Sequence, residues 1–218
     1  MADPKSFILS EAIHDYVVSH SSQIGDVRLR LIEETATLGP VAAMQVAPEQ
    51  SVFLTILTRA LGVRRAVEVG TFTGMSALSI ALGMAPDGEL LCCDVSEKWT
   101  AIARRYWAEA GVTDRIDLRI APAAETLAAL PAEERIDLAF IDADKPGYIS
   151  YWDALVPRIR PGGVLLVDNV LWGGRVVDGD SADDTVAIKA FNDHCAADDR
   201  VDLVVLPIAD GLTMACRK

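Results

Sequence analysis

Basic residues are scarce in this sequence: 20 Lys and Arg stand against 32 Asp and Glu, for a net charge of −12. A nucleic-acid partner is not expected, because phosphate binding needs clustered Lys and Arg. The acidity is that of a solvated surface. Long apolar runs are also missing. Asp3, Pro4 and Lys5 precede only a brief Phe7-Ile8-Leu9, so neither a signal peptide nor a membrane span is expected, and the expected location is cytoplasmic. Cysteine is sparse: Cys92, Cys93, Cys195 and Cys216, with no CxxC spacing. Reduced, buried thiols are expected. His14, His20 and His194 have no motif around them and receive no role.

What is present is apolar material in short, spaced pieces. The chain has 218 residues and is 51% hydrophobic, enough for one domain with a substantial core. No repeat, low-complexity tract or interdomain linker interrupts it. A single domain over residues 1–218 is expected, with residues 1–62 forming N-terminal helices. Residues 7–37 have a helical pattern in two stretches. Ile13, Tyr16, Val17 and His20 share one face of the first, and Val27, Leu31 and Glu34 recur through residues 26–38. Gly39-Pro40 breaks the pattern. Residues 48–61 form another expected helix, with Pro48 in the first turn and Val52, Phe53, Ile56, Leu57 and Ala60 at the helical period.

From residue 65 short apolar runs alternate with helical stretches. The runs are Ala66-Val67-Glu68-Val69, Leu90-Leu91-Cys92-Cys93, Ile116-Asp117-Leu118-Arg119-Ile120, Leu138-Ala139-Phe140-Ile141 and Val164-Leu165-Leu166-Val167. Between the second and third, residues 97–111 carry Trp99, Ala103, Tyr106, Trp107 and Ala110 on one helical face, and Gly111 ends the stretch. Near-continuous apolar strands separated by helices predict a parallel sheet covered on both faces. The last two runs, residues 202–208 and 212–217, flank Ala209-Asp210-Gly211, a strong hairpin signal. The expected fold is therefore α/β, a doubly wound seven-stranded sheet, mostly parallel, ending in a C-terminal antiparallel hairpin. The acidic residues 178–184 are expected to form an exposed loop.

Three groups of residues carry chemistry. Glu68-Val69-Gly70-Thr71-Phe72-Thr73-Gly74 closes the first strand and opens a helix. A glycine there lets a ligand approach the backbone, and the helix N-terminus offers free N–H donors. The dinucleotide pattern GxGxxG is absent, and Glu68 would repel a pyrophosphate but accept a cationic sulfonium ligand with an amino-acid head. A tight turn without a ligand is the plainer alternative. Asp94 ends the second strand, where an acidic residue can hold a ribose diol by two hydrogen bonds. It could equally cap the helix that starts near Glu97. Finally, Asp142-Ala143-Asp144-Lys145 and Asp168-Asn169 end the fourth and fifth strands. Parallel strand ends lie on one edge, so Asp142, Asp168 and Asn169 can present oxygen donors to one hard cation, Mg²⁺, Mn²⁺ or Ca²⁺ rather than zinc. The alternative is helix capping or ion pairing with Lys145 and Arg175. Lys145, beside a cation, would have its ammonium destabilised and would suit proton abstraction from a hydroxyl; a surface charge is its ordinary fate. Tyr148, Tyr151, Trp152 and Trp172 could wall a planar substrate or simply pack a core.

Those same residues, with Pro146-Gly147-Tyr148, Val170-Leu171-Trp172-Gly173-Gly174 and the late Leu206-Pro207-Ile208-Ala209-Asp210-Gly211-Leu212, resemble the cation-dependent O-methyltransferases of the caffeoyl-CoA and catechol type. The resemblance runs from about Phe7 to the C-terminus. It implies a Rossmann-like fold, S-adenosylmethionine as methyl donor, a divalent cation (Mg²⁺ foremost) and a homodimer. It implies metal binding by Asp142, Asp168 and Asn169, and cofactor contacts from Val46, Glu68, Gly70, Thr71, Ser76, Asp94, Ala123 and Asp142. Ala121 stands where the family often has Gly before the Pro-Ala pair. Lys145 and Asp142 are the implied catalytic residues, and a small aromatic vicinal diol is the implied acceptor. A dehydrogenase would need the missing GxGxxG, and an Asp-x-Asp phosphatase would carry its nucleophile on the first strand. A non-catalytic S-adenosylmethionine-binding protein would bind cofactor without turnover.

Overall fold

Seven strands form one sheet in the order β3-β2-β1-β4-β5-β7-β6. They are β1 (Arg65–Val69), β2 (Glu89–Asp94), β3 (Ile116–Ile120), β4 (Ile136–Ile141), β5 (Ile159–Val167), β6 (Val201–Leu206) and β7 (Leu212–Arg217) in a computed structural model that describes residues 10–133 and 135–218. The first five pair in parallel, while β7 runs antiparallel to both β5 and β6. The five parallel strands and the terminal hairpin are thus as the sequence predicts. The antiparallel strand, however, is not outermost. β7 buries Leu212, Thr213 and Ala215 and takes the inner position, while β6 exposes Val204 and Val205 at the edge. The more apolar hairpin arm goes inside because only the inner position is paired on both sides.

Eight α-helices cover the sheet among the described residues: α1 (Glu11–Ser19), α2 (Asp26–Ala36), α3 (Pro48–Ala60), α4 (Met75–Gly83), α5 (Glu97–Glu109), α6 (Ala123–Ala128), α7 (Tyr148–Leu155) and α8 (Asp183–Ala196). The 7–37 pattern divides at residues 20–25, where Gly25 takes a left-handed φ of 79° before α2; its residues 7–9 and most of the Met1–Ser10 stretch lie outside the described residues. The expected apolar face of α1 does not reach the core, and Tyr16 is 63% exposed. α3 also turns differently from its apolar period. It buries Val52 of the expected face together with Gln50, Ser51, Leu54, Thr55 and Thr58, and leaves Ile56 54% exposed. The buried hydroxyls are satisfied: Arg28 donates to Ser51 at 3.1 Å and Thr55 at 3.2 Å, and Ser51 meets Ser79 of α4 at 2.9 Å. A polar face can be buried when its groups find partners, so hydrogen bonding outweighs apolar periodicity here. Residues 178–184 are not all loop, since Asp183 and Asp184 open α8, whose Thr185, Ile188, Phe191 and Cys195 are buried.

The core lies in two layers, one on each face of the sheet. Leu54, Leu78, Ile80, Trp107 and Phe140 belong to the first, Tyr148, Trp152, Leu165 and Phe191 to the second. Tyr148 and Trp152 stand edge-on to Phe191 with centroids at 5.3 and 5.8 Å, so these two aromatics are core. The predicted α5 face holds, with Ala103, Tyr106 and Trp107 buried. All four cysteines are free thiols, three of them buried. No described helix is long and apolar enough to cross a membrane.

Candidate active site

Strand register builds the site. Cys93, Val69, Ile141 and Val167 are aligned across β2, β1, β4 and β5. The residues that follow them, Asp94, Gly70, Asp142 and Asp168, therefore form a row along the carboxyl edge of the sheet, where open α/β sheets bind ligands. The row lies under a cavity of about 1160 Å³. Val46, Gly70, Thr71, Ser76, Asp94, Ala123, Asp142, Asp168, Asn169 and Lys145 all line it, and Glu68 does not.

The glycine turn owes its glycines to packing inside the protein. At Gly70, φ is +92° and an added Cβ would lie 1.9 Å from the Asp142 carbonyl oxygen. Asp142 N–H in turn donates to Val69 O at 2.8 Å, which brings the two strand ends together. At Gly74, the N-cap of α4, a Cβ would meet Ala103 Cβ at 2.5 Å and Trp107 Nε1 at 2.9 Å. Asp94 fixes the middle of the turn. Its Oδ2 accepts from Thr71 N at 2.9 Å and Phe72 N at 2.8 Å, and its Oδ1 accepts from Ser96 N at 2.7 Å. It is not the cap of α5. Ser96 is, with its hydroxyl accepting from Trp99 N; a shorter side chain two residues on reaches the first turn of the helix. Glu68 lies beneath the turn, fully buried, with Oε2 accepting from Thr71 Oγ1 at 2.9 Å and Oε1 lacking a hydrogen-bond partner. Burial raises its carboxyl to about 7, against the lowering effect of the Ser76, Thr71 and Cys92 side chains.

The carboxylate end of the cavity is tightly connected. Lys145 Nζ donates to Tyr148 Oη at 2.5 Å and Asn169 Oδ1 at 2.8 Å, and approaches Asp142 Oδ1 at 3.3 Å. Tyr148 Oη donates onward to Asp168 O at 3.1 Å. Asp168 Oδ1 accepts from Asn169 N at 2.7 Å, and its Oδ2 accepts from Gln50 Nε2 at 2.7 Å. Burial pushes the Asp168 carboxyl up to about 7, and the nearby Asp142 charge adds to the rise, while Gln50, Asn169 and Lys145 oppose it. Asp142 is raised too, by burial first, with Lys145 lowering it. The pair sits in a low-dielectric edge where neither charge is fully matched. Lys145 does pair with Asp142, as the ion-pair alternative has it, but it also reaches Asn169.

Gln50 is a site residue the sequence reasoning missed. It is 1% exposed, and its only signal was an uncharged polar residue two places past the helix-opening Pro48. Asp144 also went without a role. Tyr151 Oη donates to Asp144 Oδ1 at 2.6 Å, and the tyrosine ring fits because Gly147 has no side chain, a Cβ there falling 2.5 Å from it. Among the described residues four non-glycines have left-handed φ: Phe72 at 50°, Asn169 at 58°, Trp172 at 49° and Ala209 at 47°. All four line the cavity. Backbone strain concentrated at one place is characteristic of a ligand site.

Comparison with known proteins agrees with this geometry. The family model for O-methyltransferases matches residues 18–218. A probable caffeoyl-CoA O-methyltransferase of Dictyostelium discoideum is 39% identical over 95% of this chain and 93% of its own. Tricin synthase 2 of Oryza sativa subsp. japonica is 37% identical over 99% of this chain and 77% of its own. Among solved structures, an O-methyltransferase from Bacillus cereus in complex with SAH superposes with a TM-score of 0.86 at 31% identity, covering 95% of this chain and 97% of that one. The chain belongs to the O-methyltransferase family.

Proposed function

We propose that the protein transfers the methyl group of S-adenosylmethionine to one oxygen of an aromatic vicinal diol, with a divalent cation held by Asp142, Asp168 and Asn169. The observation that carries this reading is the row of oxygen acceptors on the floor of the cavity. Among the described residues no three His, Cys, Asp or Glu side chains gather into a metal cluster; the candidate donors are two carboxylates and one amide oxygen. Their chemistry fits a hard cation. The Asp142 charge raises the Asp168 carboxyl, and Lys145 Nζ already lies between Asp142 and Asn169 and donates to both, where a cation would find the same oxygens. When bound, such an ion would acidify the chelated hydroxyl and fix its position.

The remaining work falls to the chain. The N-terminus of α4 offers N–H donors to the cofactor, and Val46, Thr71, Ser76, Asp94 and Ala123 border the same space. Trp172 and Tyr151 line the cavity and offer flat faces to an aromatic ring. Lys145, as the neutral amine, would take the proton of the reacting hydroxyl at Nζ and become the ammonium, which donates to Tyr148 and Asn169. In-line attack of that oxygen on the sulfonium methyl would form the C–O bond and break the C–S bond, with the neutral thioether leaving. Neutralisation of opposite charges in the cavity, which Gln50 of α3 borders, would favour this step. The Bacillus cereus relative, solved with SAH, supports the choice of cofactor.

The test is methyl transfer to a catechol with and without chelator. Activity that survives complete removal of divalent metal removes the metal from the reading. Absence of transfer to every vicinal diol offered, with metal present, removes the reading itself.

A further inference from the structure

Part of the cavity wall is a single chain thick. A short 3-10 stretch, Gly39–Met44, follows α2 and runs on through Gln45, Val46 and Ala47 to Pro48 at the start of α3. Residues 43–47 all line the cavity, yet Ala43 and Met44 are exposed, Met44 by 57%. The same residues thus border the ligand space on one side and solvent on the other. The glycine turn borders that space too.

One side chain joins the wall to the turn. Gln45 Nε2 donates to Thr73 Oγ1 in the turn at 3.1 Å and to Thr35 Oγ1 of α2 at 2.9 Å, and Thr35 Oγ1 donates to Thr73 Oγ1 at 3.0 Å. The triangle uses both amide hydrogens of Gln45. Thr35 and Thr73 are buried, so their hydroxyls depend on partners inside the protein. Among the described residues no other hydrogen bond runs from residues 39–47 to the glycine turn. The backbone of the wall does not fasten it: Gln45 N–H donates within the stretch, to Ala42 O, and Ala47, the N-cap of α3, makes no side-chain hydrogen bond. Val46 packs in the core layer of Leu31 and Leu54, but such packing is non-directional and does not set the distance to the turn.

From this we infer that Gln45 is a latch for cofactor exchange: its amide fastens residues 43–47 to the glycine turn, and the cofactor enters and leaves past this wall when Gln45 parts from Thr73 and Thr35. All three hydrogen bonds lie within the protein and none needs a ligand to form, so the latch bars entry and exit alike. It sets rates and leaves affinity nearly unchanged. Opening breaks both amide hydrogen bonds together, which corresponds to a roughly 5- to 30-fold change in rate.

The inference rests on the proposed binding of S-adenosylmethionine, and the experiment separates the two. S-Adenosylhomocysteine is the probe. Its association and dissociation are followed by stopped-flow tryptophan fluorescence, since Trp99 lines the cavity, and its Kd by calorimetry. Gln45→Met keeps the length of the side chain and removes both donors; Gln45→Asn, a methylene short of its partners, serves if the first variant folds poorly. Either is expected to raise both rate constants roughly 5- to 30-fold with Kd within about twofold. Thr73→Val alone should accelerate both rates by a smaller factor, and added to Gln45→Met it should change them by less than about twofold, because the bond it removes is already gone. Unchanged rates in the Gln45 variants, with or without a lower melting temperature, overturn the inference. So does a weaker Kd at an unchanged association rate, which is the signature of a lost contact, and so do effects that simply add across the pair. A wild-type protein that does not bind S-adenosylhomocysteine at all overturns the cofactor reading instead.

Discussion

Glu68→Gln tests the electrostatics of the site most cleanly. Glu68 is fully buried, and its carboxyl is raised from 4.5 to about 7, with burial as the largest cause. Between those values the folded protein holds a proton that the unfolded chain has released. Stability therefore falls as pH climbs through the window from 4.5 to about 7. The penalty is absent below pH 4.5 and complete above about 7. A shift of that size corresponds to on the order of 3 kcal/mol at pH 8. The amide has nearly the same shape and bears no charge to bury. Its NH₂ group enters a place where Oε1 has no partner, which costs back about 1–2 kcal/mol. The variant should gain roughly 1–3 kcal/mol over the wild type at pH 8, a rise of about 2–10 °C in Tm for a chain this long. At pH 4 only the cost of the unpartnered NH₂ group remains, and the variant should be about 1–2 kcal/mol less stable than the wild type. Urea unfolding of both proteins at pH 4, 6 and 8 measures the difference, and subtracting wild type from variant cancels other groups titrating in the same range, Asp168 among them. A difference that does not change with pH refutes the assignment of the raised carboxyl to Glu68.

Gln50→Ala removes a buried hydrogen bond to a carboxylate, about 1.5–3 kcal/mol, and should weaken divalent-cation binding roughly 10- to 100-fold by calorimetry; affinity within twofold of the wild type contradicts its role in holding Asp168. Gly70→Ala forces a Cβ to 1.9 Å from the Asp142 carbonyl at a φ of +92°, a loss on the order of 3–5 kcal/mol visible as a lower urea midpoint or insoluble protein. Lys145→Ala should lower kcat by about 10²–10⁴ with cofactor affinity nearly intact, and an unchanged kcat removes the base assignment. Asp94→Ala should lower the melting temperature of the cofactor-free protein as well as cofactor affinity, and a melting temperature identical to the wild type would show that Asp94 does not hold the turn.

How much of this was legible in the sequence depended on which force decided each element. Strands β1 to β5 and the hairpin could be read because apolar runs, turn glycines and helix periods agreed with one another. The row Gly70, Asp94, Asp142, Asp168 followed from the strand ends alone, since parallel register aligns them. The legible part ended where partners from distant segments decide. The face of α3 could not be foreseen from its apolar period, because Arg28 and Ser79 satisfy its hydroxyls. The same holds for Gln50, whose partner Asp168 is 118 residues away, and for β7, whose inner place depends on the relative burial of two arms of one hairpin. The α1 face has an apolar pattern, yet among the described residues nothing covers its Tyr16 and Val17.

The glycine turn has a packing role beside the ligand role its motif suggests. Gly70 and Gly74 looked like openings for a ligand, yet a side chain at either would strike the protein itself. What they permit is the close approach of β1 to β4 and of α4 to α5, and that approach aligns Gly70 with Asp142. Asp94 acts in the same way. A carboxylate offers about four lone-pair directions, and three are taken by the N–H groups of Thr71, Phe72 and Ser96. A ribose diol would thus find one direction free, so two full hydrogen bonds to Asp94 require it to share an oxygen with the turn it holds. A cofactor held by Asp94 would then be coupled to turn rigidity through one side chain. A substitution there cannot weaken the ligand without loosening the backbone that bears it.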